Sequence, residues 1–225
     1  TPDRALDFID GLSGADKWCL HLSYIKPHWP YLAPAPYHDC FGPEQVMSAV
    51  RCDSERHDPH PVYQAFMAQD YSENFSRDEV RQTVIPTYMG LIQQLDNHIG
   101  RVLAKLDEKG LRENTLVVLT SDHGDYLGDH WLGEKDLHHD PSIRIPLIIS
   151  DPSDAADSTR GSSSDALVEA IDLVPTLTEY AGAKVCSERM EGRSLAPLMQ
   201  GGLPDGSWRD YIISEIDYSD RGPRT

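Results

Sequence analysis

Between residues 80 and 109 the apolar side chains Ile85, Tyr88, Ile92, Leu95, Ile99, Val102 and Leu106 recur at alternating intervals of three and four. That spacing puts them on one stripe of a helix, and Gly110 is a suitable stop. Pro86 predicts either a kink in the first turns or a fresh start. The pattern then changes. "RENTLVVLTSD" is a turn followed by a short continuous apolar run, which predicts a strand covered on both faces and central in its sheet, and "IPLIIS" (145–150) predicts a second. "WCLHLSYI" (18–25) reads as a strand that runs into the breaker-rich "KPHWPYLAPAPYHD", and "YIISEID" (211–217) as a last strand. Helical signals recur in the opening "TPDRALDFID", in "PVYQAFMAQDY", and in "DALVEAIDLVPTLTEYAG", with a break or fresh start before Pro175 and a stop at Gly182. Residues 38–78 otherwise carry few periodic signals, and "DPSDAADSTRGSSSD" reads as a surface loop. Helices alternating with short buried strands imply an α/β sandwich with a largely parallel central sheet and helices on both faces. At 225 residues, one domain is expected, with no second domain.

Charge narrows the partners. The formal charge is −17, so a phosphate backbone or an anionic membrane surface would be repelled, and neither nucleic acid nor membrane is an expected partner. No apolar stretch approaches the ~18 residues of a spanning helix. A small anionic substrate is still allowed, because a bound cation and a lysine can make a site locally positive. Cys19, Cys40, Cys52 and Cys186 are scattered and include no C-x-x-C pair, which argues against a zinc ribbon or a dithiol motif. Cys19, inside an expected strand, reads as a small buried apolar residue. Self-association and compartment are left open, with the cytoplasm favoured.

The chemistry is concentrated in "LTSDHGDYLGDHWLGEK" (119–135). Open α/β sheets place ligands beyond the carboxyl ends of their strands, and Asp122 and His123 stand at that end of "TLVVLTS". Neighbours on a regular strand point to opposite faces, so both reach one ion only if the chain leaves extended geometry, which Gly124 permits. A carboxylate and an imidazole suit a divalent cation such as Mn²⁺, Mg²⁺, Ca²⁺, Fe²⁺ or Zn²⁺. The plainer alternative is a capping aspartate beside a solvated histidine. Gly128 and Gly133 allow close packing around a pocket, and Lys135 brings an ammonium group suited to a tetrahedral oxyanion, unless it is a solvated surface lysine. His130, His138 and His139 lie near the motif, in surface or supporting positions and with no assigned role. A Ser-His-Asp triad is disfavoured: Ser121, Asp122 and His123 are neighbours in sequence, and no G-x-S-x-G elbow occurs.

"TSDHGDYLGDHWLGEK" followed by "DPSIRIPLII" resembles the later half of the sulfatase family in the alkaline phosphatase superfamily, and within it the bacterial phosphonate monoester hydrolases, which also act on phosphodiesters and sulfate esters. "AIDLVPTLTEYAG" is similar to the family's late helix. The resemblance implies an alkaline-phosphatase-like α/β fold, with residues 1–225 as the C-terminal-side portion of a single domain. It also implies metal ligands at Asp122 and His123, a substrate-contacting Lys135, and, from the His-x-Pro of "KPHWPY", a catalytic His28. An imidazole there can donate to a substrate oxygen or protonate a leaving oxygen. The implied cofactors are one divalent ion, with Mn²⁺ or Ca²⁺ placed ahead of Mg²⁺, Fe²⁺ and Zn²⁺, and a formylglycine nucleophile.

The formylglycine of such enzymes arises from a C/S-x-P-x-R motif upstream of the His-x-Pro, and no such motif is present here. "CDSER" (52–56) lacks the proline and follows His28, and in "CSERM" Arg189 comes one residue early. The expected function is therefore metal-dependent hydrolysis of phosphonate monoesters, phosphodiesters or sulfate esters with a nucleophile supplied from upstream, and the chain by itself is expected to be inactive. An arylsulfatase is the near alternative; a sulfatase-like scaffold without catalysis is the alternative of another kind.

Overall fold

The computed structural model of the protein describes residues 2–202 and 208–216. These fall into two units: residues 2–112, 123–145 and 216 in the first, residues 113–122, 146–202 and 208–215 in the second.

In the first unit α1 (Pro2–Asp10) and α4 (Asp78–Glu108) pack together. Ala5 and Ile9, one turn apart on α1, are both buried. Arg101 of α4 pairs with Asp3 at 2.7 Å, and Lys109 donates to the Asp10 carbonyl at 2.6 Å. The expected helix from 80 to 109 is present and runs unbroken through Pro86, whose ring is buried. It begins with Asp78 and Glu79, which suit its positive end. It stops where Gly110 turns to a φ of 64° and the Leu111 N–H reaches back to the Leu106 carbonyl at 2.9 Å. The apolar stripe is offset from the expected one: Leu91 is fully buried, while Ile92 is 45% exposed. Gly90 sets this offset, because a side chain there would stand 2.1 Å from the Tyr37 carbonyl oxygen. Helix and loop meet there backbone to backbone.

Two short helices, α2 (Pro61–Met67) and α3 (Asp70–Phe75), occupy the stretch where one was expected. Phe66 of α2 joins Tyr126, Leu132 and Leu137 in a buried cluster flanked by Val62, Tyr63 and Met67. The loop 124–139 thus carries its own apolar core, which gives it a fixed shape.

Residues 18–25 form no ladder among the described residues, contrary to the strand expected there. Their burial still alternates: Trp18, Leu20, Leu22 and Tyr24 are partly covered, and Cys19, His21, Ser23 and Ile25 are exposed. The period is that of a strand, and what is missing is a hydrogen-bonding neighbour. Cys19 lies on the outward side and is exposed, which corrects its reading as a buried residue.

In the second unit β1 (Val117–Thr120) pairs with β2 (Leu147–Ser150), Val117 opposite Ser150 and Thr120 opposite Leu147. Both strands form where expected, but the pair is antiparallel rather than parallel, and β1, expected to be central and covered on both faces, is one of two strands among the described residues, with Val117 to Leu119 partly covered and Thr120 exposed. A parallel pair is normally joined by a crossover helix of some length. The stretch between these strands holds only a single 3₁₀ turn (Asp129–Trp131) and the four-residue α5 (Asp140–Ile143). Ile148 of β2 is 61% exposed, so that strand is not covered on both faces as expected.

The late helix is shorter than expected. A 3₁₀ turn (Ala170–Asp172) leads into α6 (Leu173–Tyr180), which carries Pro175 in its first turn and ends before Gly182 at a φ of 71°. Residues 211–216 form no strand, Ile213 being 73% exposed; Asp217 lies outside the described residues. The Ser-rich loop folds as a 3₁₀ stretch (Asp154–Thr159) beside Arg160, whose guanidinium donates to the carbonyls of Asp151 and Ser153 at 2.7 and 2.9 Å. Among the described residues no helix is long and apolar enough to cross a membrane.

Candidate active site

Three of the four expected site residues, His28, His123 and Lys135, come together in the first unit. The Lys135 Nζ lies 2.7 Å from the His28 Nε2, and the His28 and His123 rings stand edge to face with centroids 6.0 Å apart. Both rings have a fixed tautomer when neutral. His28 Nδ1 lies 2.9 Å from the Trp29 carbonyl oxygen and His123 Nδ1 lies 2.8 Å from that of Gly124. A carbonyl only accepts, so each Nδ1 carries the proton and each Nε2 the lone pair. Lys135 therefore donates to His28. The fourth residue, Asp122, is exposed and closes the run 113–122 of the second unit, while His123 opens the run 123–145 of the first.

The segment bearing His28 is tied locally by Lys26, whose Nζ donates to the carbonyls of His28, at 3.2 Å, and Pro30. Gly124 serves close approach rather than the expected unusual dihedral. Its N–H donates to the Ser142 carbonyl at 2.8 Å, and a Cβ would fall 1.9 Å from the Pro141 carbonyl oxygen.

The unusual dihedrals fall on side-chain-bearing residues instead. Leu127, His130, Trp131, Glu134 and Asp136 have φ of 46°, 53°, 63°, 55° and 89°. Each such residue costs about 1–2 kcal/mol relative to ordinary backbone, and the loop that delivers Lys135 contains all five. Anchors hold it there. Buried Arg81 of α4 donates to the Leu127 carbonyl, 3.0 Å, and to that of Met47, 3.0 Å. Tyr63 donates to the His130 carbonyl at 2.7 Å, and His130 Nδ1 donates to Glu55 at 2.7 Å. Trp131 donates to the Cys52 carbonyl at 2.8 Å and receives the Arg51 guanidinium 4.2 Å from its ring centroid. Gly128 and Gly133 do pack closely, as expected, though against Arg81, Phe75 and Tyr71.

His130 and His139, which had no assigned role, stack with centroids 4.2 Å apart. His139 Nδ1 and the Tyr126 hydroxyl share a hydrogen bond at 2.9 Å. Burial, and then the neighbouring His130, lower the pKa of His139, which favours its neutral form. His138 is exposed.

Two residues that sequence reasoning passed over also belong here. Tyr31 donates to Asp125 Oδ2 at 2.7 Å, and the Leu127 N–H donates to Asp125 Oδ1 at 3.1 Å. Burial raises the Asp125 pKa, against the lowering by the Tyr31 hydrogen bond. Tyr31 is raised too, by its burial and then by Asp125, and Tyr88, whose ring meets that of Tyr31, is pushed up to about 12 by burial. The signal was available only as position: Tyr31 follows His28 by three residues and Asp125 follows His123 by two. A cavity of about 440 Å³ between Met47, Arg51, Asp78, Arg81 and Trp131 lies on a different part of this unit, and none of His28, His123 or Lys135 lines it. The convergence of His28, His123 and Lys135, rather than that hollow, marks the candidate site.

Comparison with known proteins identifies the family. The chain is 34% identical to the multifunctional alkaline phosphatase superfamily protein PehA of Trinickia caryophylli, over 97% of its own length and 44% of that protein's. It is 28% identical to an arylsulfatase of Clostridium perfringens over the same shares. Its fold matches a phosphonate monoester hydrolase from Silicibacter pomeroyi with a TM-score of 0.81 and 33% identity, covering 91% of this chain and 42% of that one. The phosphonate monoester hydrolase of Agrobacterium radiobacter matches with a TM-score of 0.79 and 26% identity, covering 93% and 43%. The chain thus spans less than half the length of these relatives, and their α/β fold is its own. The sulfatase family profile matches residues 2–183, and the chain belongs to the sulfatase family.

Proposed function

We propose that residues 1–225 are the C-terminal-side portion of a single sulfatase-like domain, and that the whole protein hydrolyses phosphonate monoesters and phosphodiesters, with sulfate esters as the second class. The observation that carries this reading is the 2.7 Å contact between Lys135 and His28 beside the His123 ring. It is a preformed cationic pair of the kind that balances charge on the peripheral oxygens of a tetrahedral centre. The order of substrates leans on the relatives, of which two are named phosphonate monoester hydrolases and one an arylsulfatase.

Asp122 and His123 are the residues that would hold a divalent cation. The fit is partial. The neutral His123 tautomer, with Nδ1–H on a carbonyl, is the one found on metal-ligating histidines. Among the described residues, however, no group of three or more histidines, cysteines and acids is placed to hold an ion. Mn²⁺ and Ca²⁺, which take about six or more ligands, would need the rest of their donors from outside this chain. When bound, such an ion supplies Lewis acidity toward the ester oxygens, and an upstream formylglycine would supply the nucleophile. This chain's own contribution in this reading is that Lys135 binds and orients a non-bridging oxygen, and that His28, whose Nε2 is held 2.7 Å from the Lys135 Nζ, serves the leaving oxygen.

The test compares p-nitrophenyl phenylphosphonate with p-nitrophenyl sulfate on the full-length protein, before and after exhaustive chelation and with single metals restored. A higher kcat/KM for the phosphonate and loss of both activities on chelation are expected. A large sulfate preference would reverse the substrate order. Full activity after the metal is stripped would remove Asp122 and His123 from the proposal.

A further inference from the structure

We infer that Tyr31 and Asp125 form a clasp that positions the catalytic groups: their hydrogen bond fixes the segment carrying His28 against the turn carrying His123. This rests on the active-site reading above and extends it to two residues that touch no substrate atom in that reading. The two segments are 94 residues apart in sequence, and the Tyr31 hydroxyl to Asp125 Oδ2 bond at 2.7 Å joins them. On one side of the clasp, Tyr31 is three residues past His28; on the other, Asp125 is two residues past His123. The rings of His28 and His123 face each other at 6.0 Å, so the clasp and the ring contact are two rungs of one short ladder.

Each end of the clasp is itself held. The Tyr31 ring is fixed edge to face by Phe75 and Tyr88, with centroids at 5.9 and 6.1 Å. Asp125 accepts from the Leu127 N–H, at the point where the backbone enters the strained loop that ends in Lys135. The carboxylate therefore serves three elements together: the His28 segment, the His123 turn and the start of the lysine loop. A displacement of about 1 Å between reacting groups lowers rate by about a hundredfold, so a loose clasp should show in turnover before it shows in binding.

The test uses the full-length protein with a p-nitrophenyl ester substrate. Tyr31→Phe and Asp125→Ala are expected to lower kcat by about 10- to 100-fold, with KM changed less than about threefold. The double variant should be no worse than Asp125→Ala alone, since both break the same bond. Asp125→Asn keeps a polar bridge, its amide accepting from Leu127 N–H and donating to the Tyr31 hydroxyl oxygen, and should recover most of the lost kcat. Tyr180→Phe is the control for the loss of a part-buried tyrosine hydrogen bond, to Asp151 in the second unit; it should lower thermal stability and leave kcat unchanged. Unchanged kcat in Tyr31→Phe, or an equal fall in Tyr180→Phe, overturns the clasp, as does Asp125→Asn behaving like Asp125→Ala. Lys135→Ala, run in parallel, separates the two readings. If it destroys activity while Tyr31→Phe does not, only the clasp is wrong; if it is harmless, the site and the clasp fall together.

Discussion

Lys135→Ala in the full-length protein should lower kcat/KM by about 100- to 1,000-fold, equivalent to about 2.7–4 kcal/mol of lost transition-state stabilisation at about 1.36 kcal/mol per tenfold. Two effects combine. The ammonium proposed to bind the peripheral oxygens is removed, and the His28 Nε2, 2.7 Å from that ammonium, loses its donor. Lys135→Arg should not restore the rate, because a planar guanidinium cannot stand in for a compact charge at the end of a short, strained loop. Steady-state kinetics on a phosphonate and a sulfate ester would decide the matter. In the proposed role the lysine serves oxygens common to both esters, so the two substrates should suffer alike. A loss below about threefold on both would mean that the lysine is a surface charge that leans on a histidine.

The second large effect is expected in the other unit, on stability. Asp172 is fully buried and accepts both arms of the Arg209 guanidinium, at 2.7 and 2.6 Å. The same carboxylate accepts the N–H groups of Arg193, at 2.7 Å, and Glu169, at 2.8 Å. Glu169 adds its own carboxylate to Arg209 at 2.7 Å. One acid thus joins the start of α6, the segment near Gly192 and the segment of Trp208 to Ile213. Asp172→Ala leaves a guanidinium and two amides without their partner, in a place water does not reach. Breaking a buried pair from one side costs about 3–5 kcal/mol, a large part of the ~5–15 kcal/mol that holds a domain folded. Urea unfolding of the variant measures the loss. An Asp172→Ala loss below about 1 kcal/mol would show that solvent enters and takes over the bonds.

What the sequence made legible, and what it did not, follows the reach of the interactions. The stripe on α4 and the stop at Gly110 are local and could be read directly; the slip from Ile92 to Leu91 came from Gly90 meeting Tyr37, a contact between distant residues. Residues 18–25 have the composition and the alternation of a strand, but a strand needs a neighbour, and propensity says nothing of where that neighbour is. At the site, residue types and spacing singled out Asp122, His123 and Lys135, and the resemblance to the sulfatase family added His28; the structure brings His28, His123 and Lys135 together. Tyr31 with Asp125 could not be read, because a pairing across 94 positions leaves no mark on either segment. Asp172 reads in "AIDLV" as an ordinary polar position of a helix, and its burial appears only once Arg209 arrives.

The five side-chain-bearing residues with positive φ between Leu127 and Asp136 have an evolutionary consequence. Such a stretch behaves as a wound spring whose catches are Arg81, Tyr63, Glu55 and Asp125, far apart in the chain. Glycine at any of the five would relax the spring and steady the fold while letting the ammonium wander. Selection for robustness and selection for turnover therefore pull in opposite directions along these ten residues, and drift here should be slower than at the surface around them.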